Sequence, residues 1–122
     1  MLFRSRAWDD RPVSLLPFGL ARVSGASMVP AYYSGDLLLV HYGPRTVARL
    51  RPGAAVLARD PRQTGLIIVK RAARREGAGW WLLADNEFAL GDSRQFGAVP
   101  VELILGRVLC RLGAGRLGRR RR

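Results

Sequence analysis

Ser24-Gly25-Ala26-Ser27-Met28-Val29-Pro30, followed by Gly35-Asp36 and the apolar run Leu37 to Val40, decides how this chain is read. A serine between small residues suits a tight, exposed turn that a peptide carbonyl can approach closely. Serine by itself is a weak nucleophile and needs a base to take its proton. Further along, Lys70 follows the strand-like run Leu66-Ile67-Ile68-Val69, where an amine can be held in an apolar wall. A lysine acts as a base near neutral pH only when removed from water, because desolvation disfavours the ammonium. On a strand Lys70 shares a face with Leu66, Ile68 and Ala72, while Val69 and Arg71 face the other way. An edge-strand lysine facing solvent is the commoner fate of this residue type, and that reading stands beside the first. Lys70 is nevertheless the only lysine among 21 Lys and Arg residues. Arginine stays protonated and cannot serve as a base.

The remaining composition narrows the chemistry. At 122 residues, 48% apolar and 25% charged, the chain is one domain able to bury a core without covalent staples. A single cysteine, Cys110, excludes an internal disulfide framework, and a single histidine, His41, leaves no cluster with metal-ligand spacing. A Ser-His-Asp triad would have to use His41, which has no obvious carboxylate partner. The net charge of +12 is partly a terminal matter, since Arg119 to Arg122 close the chain behind a glycine-rich stretch from Gly113 to Gly118. Residues 113–122 read as a disordered, solvated, arginine-rich tail. No aromatic residues interleave with those arginines as a nucleic-acid stacking platform requires, so no obligatory nucleic-acid partner is expected. The stretch Leu15 to Ala21 is broken by Pro17 and Gly19 and falls far short of the roughly 20 apolar residues of a membrane span. Asp9, Asp10, Arg11 and Pro12 interrupt any secretory core. The expectation is a chain without a transmembrane anchor, located in the cytoplasm.

Short strand-like runs separated by turns predict an all-β fold with few or no helices. Residues 1–20 read as an irregular lead-in with Leu15, Leu16 and Phe18 as apolar anchors, and residues 21–112 as the functional domain. Leu37 to Tyr42 is apolar on both faces and is expected to be central or buried. Gly43-Pro44-Arg45 breaks it. Ala54 to Arg59 and Leu66 to about Arg74 follow as strands, and Glu76 to Gly79 as a hairpin loop leading into Trp80 to Ala84. Asp85 to Pro100 is polar and too long for a simple connection, the mark of a functional loop. Val101 to Leu112 supplies the last strand, entered by a short helical turn.

Gly25 to Pro30 with Gly35-Asp36 and Leu38 to Val40 resembles the serine box of the signal peptidase I-like (S26/S24) serine–lysine peptidases. Val69-Lys70-Arg71 resembles their lysine box, and Asp85-Asn86, Gly91 to Arg94, Gly97 to Pro100 and Ile104 to Arg107 their final box. The resemblance implies a small, partly open β-barrel or sandwich of the signal peptidase and LexA catalytic-core type. It makes Ser27 the nucleophile, Lys70 the general base and the Ser27 backbone N–H an oxyanion donor. Asp92 would pair with Arg94 and Asp85 with Arg71 as supports of the site, with Met28 as part of its wall. No metal or other cofactor is implied. Leu90 stands where many relatives carry a serine that hydrogen-bonds the lysine, and Ala84 where they carry a glycine. The size and lead-in look like the nickel-type superoxide dismutase maturation proteases, so the implied partner is a protein precursor whose N-terminal extension is removed. Two other functions are compatible with the same residues: a self-cleaving regulatory domain like the LexA-type repressors, and a non-catalytic basic binding module.

Overall fold

A computed structural model describes residues 2–4 and 17–114. Eight strands form one antiparallel sheet: β1 (Leu2–Arg4), β2 (Phe18–Ser24), β3 (Leu37–Tyr42), β4 (Ala55–Asp60), β5 (Gln63–Glu76), β6 (Gly79–Leu83), β7 (Val99–Pro100) and β8 (Ile104–Gly113). Their order across the sheet is β1-β2-β3-β8-β4-β5-β6-β7. The single residue pair Leu2↔Ile68 brings β1 against β5, so the sheet curls towards a barrel that meets itself through one bridge. The all-β expectation of a small, partly open barrel describes this architecture. Among the described residues there are two short helices, α1 (Pro44–Ala48) and α2 (Ser93–Phe96), and a single 3-10 turn, Val101–Leu103. No helix among them is long and apolar enough to cross a membrane.

The alternation of side chains along β4 and β5 builds two apolar clusters, one on each side of these strands. Ala55, Leu57, Ile67 and Val69 join Val23, Met28, Leu38 and Val40 in the first. Val56, Ala58, Ile68 and Ala72 join Trp80, Leu82, Val99 and Ile104 in the second. β4 and the middle of β5 are therefore buried on both faces, which explains their continuous runs of apolar residues. β3 lies between β2 and β8 and alternates buried with half-buried positions, Leu38, Val40 and Tyr42 pointing into the core.

The structure departs from the sequence reading in three places. The lead-in is not wholly irregular, because Leu2–Arg4 pairs with Arg22 to Ser24 of β2, and β2 itself begins at Phe18. Leu15 and Leu16, like the arginine tail beyond position 114, lie outside the described residues. Gly43-Pro44-Arg45 does end β3, but Pro44 also opens α1, its fixed φ and missing N–H being harmless in the first helical turn. The stretch Asp85 to Pro100 is not all loop. Asp92 accepts from the backbone of Arg94, Gln95 reaches back to the N–H of Asp92, and this capping box starts α2.

Gly106 sits in β8 between β3 and β4, where a Cβ would lie 2.5 Å from the His41 carbonyl oxygen and 3.0 Å from the Tyr42 Cα. Both neighbours are backbone and cannot turn aside. Gly106→Ala is expected to destabilise the fold by about 1–3 kcal/mol in urea denaturation. Gly65→Ala, whose added methyl meets nothing within 4 Å, is expected to stay within about 0.5 kcal/mol of the parent. Equal stability of the two variants would contradict the close-approach account.

Candidate active site

The serine turn hangs between β2 and β3. Gly25 takes φ 95, a left-handed conformation that lets the chain swing out of β2 directly before Ala26 and Ser27. The turn is closed on itself by Val29 N–H donating to the Ala26 carbonyl at 3.2 Å and Tyr32 N–H to the Met28 carbonyl at 2.8 Å. Its base is fixed by the ladder-like pairs Val23 N–H to Asp36 O, 2.8 Å, and Gly35 N–H to Val23 O, 2.7 Å. The buried Asp36 carboxylate also accepts the Tyr33 N–H at 2.9 Å. Met28 is fully buried in the first apolar cluster, which anchors the residue next to Ser27. Ser27 itself is 7% exposed, close to the surface but shielded.

Lys70 lies in the middle of β5, directly across from Val56 of β4 and on the same face as Ile68 and Ala72. It is 0% exposed. Its Nζ lies 3.2 Å from Ser27 Oγ, donating to it, a separation at which a neutral amine can equally accept the hydroxyl proton. Burial drives the Lys70 pKa below the ordinary lysine value; the carboxylates of Asp92 and Asp60 pull it back up in part, and Arg62 opposes them. Among the described residues Ser27 Oγ is the hydrogen-bond partner of Nζ. Leu90 is 76% exposed and lies out in solvent.

Two ion pairs brace the surroundings. The Arg71 guanidinium binds both oxygens of Asp85, with Nε to Oδ1 at 3.1 Å, and reaches the Gly53 carbonyl at 3.2 Å. It links β5, the turn before β4 and the segment after β6. Asp92 is fully buried and holds the Arg94 side chain in a two-pronged contact, Nε to Oδ1 at 3.0 Å and Nη2 to Oδ2 at 2.9 Å. It also accepts the N–H groups of Ala84, 2.7 Å, and Arg94, 2.9 Å. Burial by itself would raise the Asp92 pKa, but Arg94 and these two N–H donors outweigh it and hold the carboxyl below its usual range.

Sequence reasoning overlooked two residues here. Asn86 donates its backbone N–H to the Ser27 carbonyl at 2.8 Å and its side-chain amide to the Ala26 carbonyl at 3.1 Å, tying the loop after β6 to the serine turn. Asp60, 2% exposed, binds the backbone and guanidinium of Arg62 at 2.8 and 2.9 Å and fixes the β4–β5 turn within electrostatic reach of Lys70. Asn86 stood in a quoted motif, but its part in joining two loops needs their three-dimensional contact. His41, by contrast, stacks on Phe18 at 4.6 Å and pairs with Thr46 Oγ1 at 3.1 Å, committed away from Ser27. Among the described residues no group of three or more His, Cys, Asp and Glu side chains gathers as a metal site.

The fold with this geometry has relatives. The family model described as Peptidase S24-like matches residues 15–108, a span that contains the serine turn, Lys70 and both ion pairs. The chain is also similar to the Mitochondrial ATP-independent inner membrane protease subunit 1a of Arabidopsis thaliana, 30% identical over 113 residues, covering 74% of this chain and 67% of that protein. A curled antiparallel sheet that seats a serine turn against a buried lysine, matched by that model over most of its length, places the chain in the Peptidase S24-like family, among the peptidases of the signal-peptidase and S24 type.

Proposed function

We propose that this peptidase is a serine endopeptidase working through Ser27 and Lys70, and that it removes an N-terminal extension from a protein precursor. The observation that carries the reading is the contact of 3.2 Å between the Ser27 hydroxyl and an amine with no exposure to solvent. Neutral Lys70 takes the Oγ proton as Ser27 Oγ bonds to the scissile carbonyl carbon. The oxygen of the tetrahedral adduct carries the charge and is met by the Ser27 backbone N–H. Collapse of the adduct breaks the C–N bond, and the Lys70 ammonium returns the proton to the departing amine. Lys70, again neutral, then deprotonates a water that attacks the acyl ester, releasing the new carboxyl terminus and restoring the serine hydroxyl. Met28, Arg71, Asp85, Asp92 and Arg94 touch no reacting atom in this scheme; they hold the serine turn, β5 and the loop after β6 in register.

The resemblance to the nickel-type dismutase maturation proteases makes the precursor of such a dismutase the first substrate to test. Co-expression with it, followed by mass spectrometry of the product's N-terminus, is expected to show a trimmed chain with the parent enzyme and the intact precursor with Ser27→Ala or Lys70→Met. Each substitution is expected to lower the cleavage rate by at least about 1,000-fold, and normal trimming by either variant sinks the mechanism.

The pH dependence follows from the direction of the Lys70 shift. Below its folded-state pKa the amine is protonated and cannot accept from Ser27, so log(kcat/KM) is expected to climb with unit slope on the acid side. It levels off at a pH below that of an ordinary lysine, because burial has lowered the value. A rate that climbs only where an exposed lysine titrates would remove the buried-base account.

The same shift bears on stability. Between the folded and unfolded pKa values of Lys70 the unfolded chain binds the additional proton, so stability falls as pH drops through that window and stays low beneath it. Lys70→Met abolishes this dependence. It is expected to make the protein more stable near neutral pH by about 1 kcal/mol or more in urea denaturation, while leaving it inactive.

A further inference from the structure

The loop between β6 and α2 presents two large apolar side chains to water. Phe88 is 86% exposed and Leu90 76%, the highest exposures among the large apolar residues described. The backbone around them is held by side-chain hydrogen bonds. Arg94 grips the carbonyls flanking Phe88, those of Glu87 at 3.3 Å and Ala89 at 3.1 Å. The Asn86 side-chain oxygen accepts the Phe88 N–H at 3.0 Å, and Gln95 accepts the N–H of Gly91 at 2.9 Å. Behind them Asn86 is joined to the carbonyls of Ala26 and Ser27. A loose loop would fold these two side chains back onto the protein to escape water. This one holds them out, on a frame bonded to the nucleophile's own turn.

We infer that Phe88 and Leu90 form an apolar clamp for the substrate, gripping an apolar side chain of the bound peptide within a few residues of the scissile bond. The inference rests on the Ser27–Lys70 reading only for the position of that bond. The occupant follows from proximity: Phe88 stands two residues from Asn86, which is bonded to the Ser27 carbonyl, so a peptide whose carbonyl reaches Ser27 lies close to this loop. The clamp adds substrate affinity rather than transition-state stabilisation, so it acts on KM and on the choice of cleavage site.

The test separates binding from turnover. Fluorescein-labelled peptides with an alanine and serine background, each carrying one leucine or phenylalanine at a successive position, are titrated by fluorescence anisotropy. The two proteins compared are Ser27→Ala and Ser27→Ala/Phe88→Ser/Leu90→Ser. With Ser27→Ala one apolar position is expected to tighten binding about tenfold over the unsubstituted peptide, and the triple variant is expected to lose that gain. Equal binding by both proteins, or no apolar preference in either, overturns the clamp. So does a result in which the Phe88 and Leu90 substitutions abolish flotation with phosphatidylglycerol vesicles and leave peptide binding unchanged, because the pair would then face lipid. Cleavage of the same peptides by the parent protein reports separately on the peptidase reading: apolar-dependent binding without any cleavage leaves the clamp standing and removes Ser27 and Lys70 from their proposed roles.

Discussion

An amine buried against a hydroxyl is the constraint on which the rest of this structure depends. Lys70 sits across from Val56 and on one face with Ile68 and Ala72, with no exposure to solvent, and its Nζ meets Ser27 Oγ. Such a site disfavours the ammonium, so it is a place where a lysine is kept for its ability to lose a proton rather than for its charge. Keeping it there requires a wall dry on both sides. β4 and the centre of β5 supply one because each contributes alternate side chains to two separate clusters. The curl of the sheet thus creates the medium in which the lysine titrates.

The hydroxyl has to be delivered to that amine from a distant part of the chain, and two loops cooperate in doing so. The serine turn leaves β2 at Gly25 and is anchored by buried Met28. The segment after β6 bonds to it through Asn86. Arg71 and Arg94, each paired with a carboxylate, hold that segment to β5 and to α2. Arg71 and Asp85 are both partly exposed, so their pairing contributes mainly geometry, whereas Asp92 is buried and its loss would leave an uncompensated cavity of donors. Leu90, on the same segment, lies out in solvent.

Much of this was legible beforehand, for physical reasons that can be named. Leu66 to Val69 announced a buried strand because β-branched and aliphatic residues in an unbroken run suit a strand covered on both faces. The pairings of Asp85 with Arg71 and Asp92 with Arg94 were expected from motif resemblance, and the side chains meet. The short helix α2 was readable too, since aspartate followed by glutamine at the third position is a capping signal, but it lay inside a stretch whose polarity suggested loop. β1 carried no such signal. Three residues have no periodicity, and Leu2–Arg4 becomes a strand only because β2 offers it an edge.

By itself the sequence determined the elements whose cause is local: the apolar runs that make strands, the glycines and prolines that end them, and the presence of one lysine in a chain otherwise basic through arginine. Tertiary structure alone decided the distances. Whether Lys70 faced water or the core depended on β4, β6 and the serine turn closing over it, and residue type does not encode which neighbours arrive. The bond from Asn86 to the serine turn and the reach of Asp60 towards the amine both join residues far apart in the chain. Such contacts exist only after the sheet has curled, because it is the fold that sets which side chains share a volume.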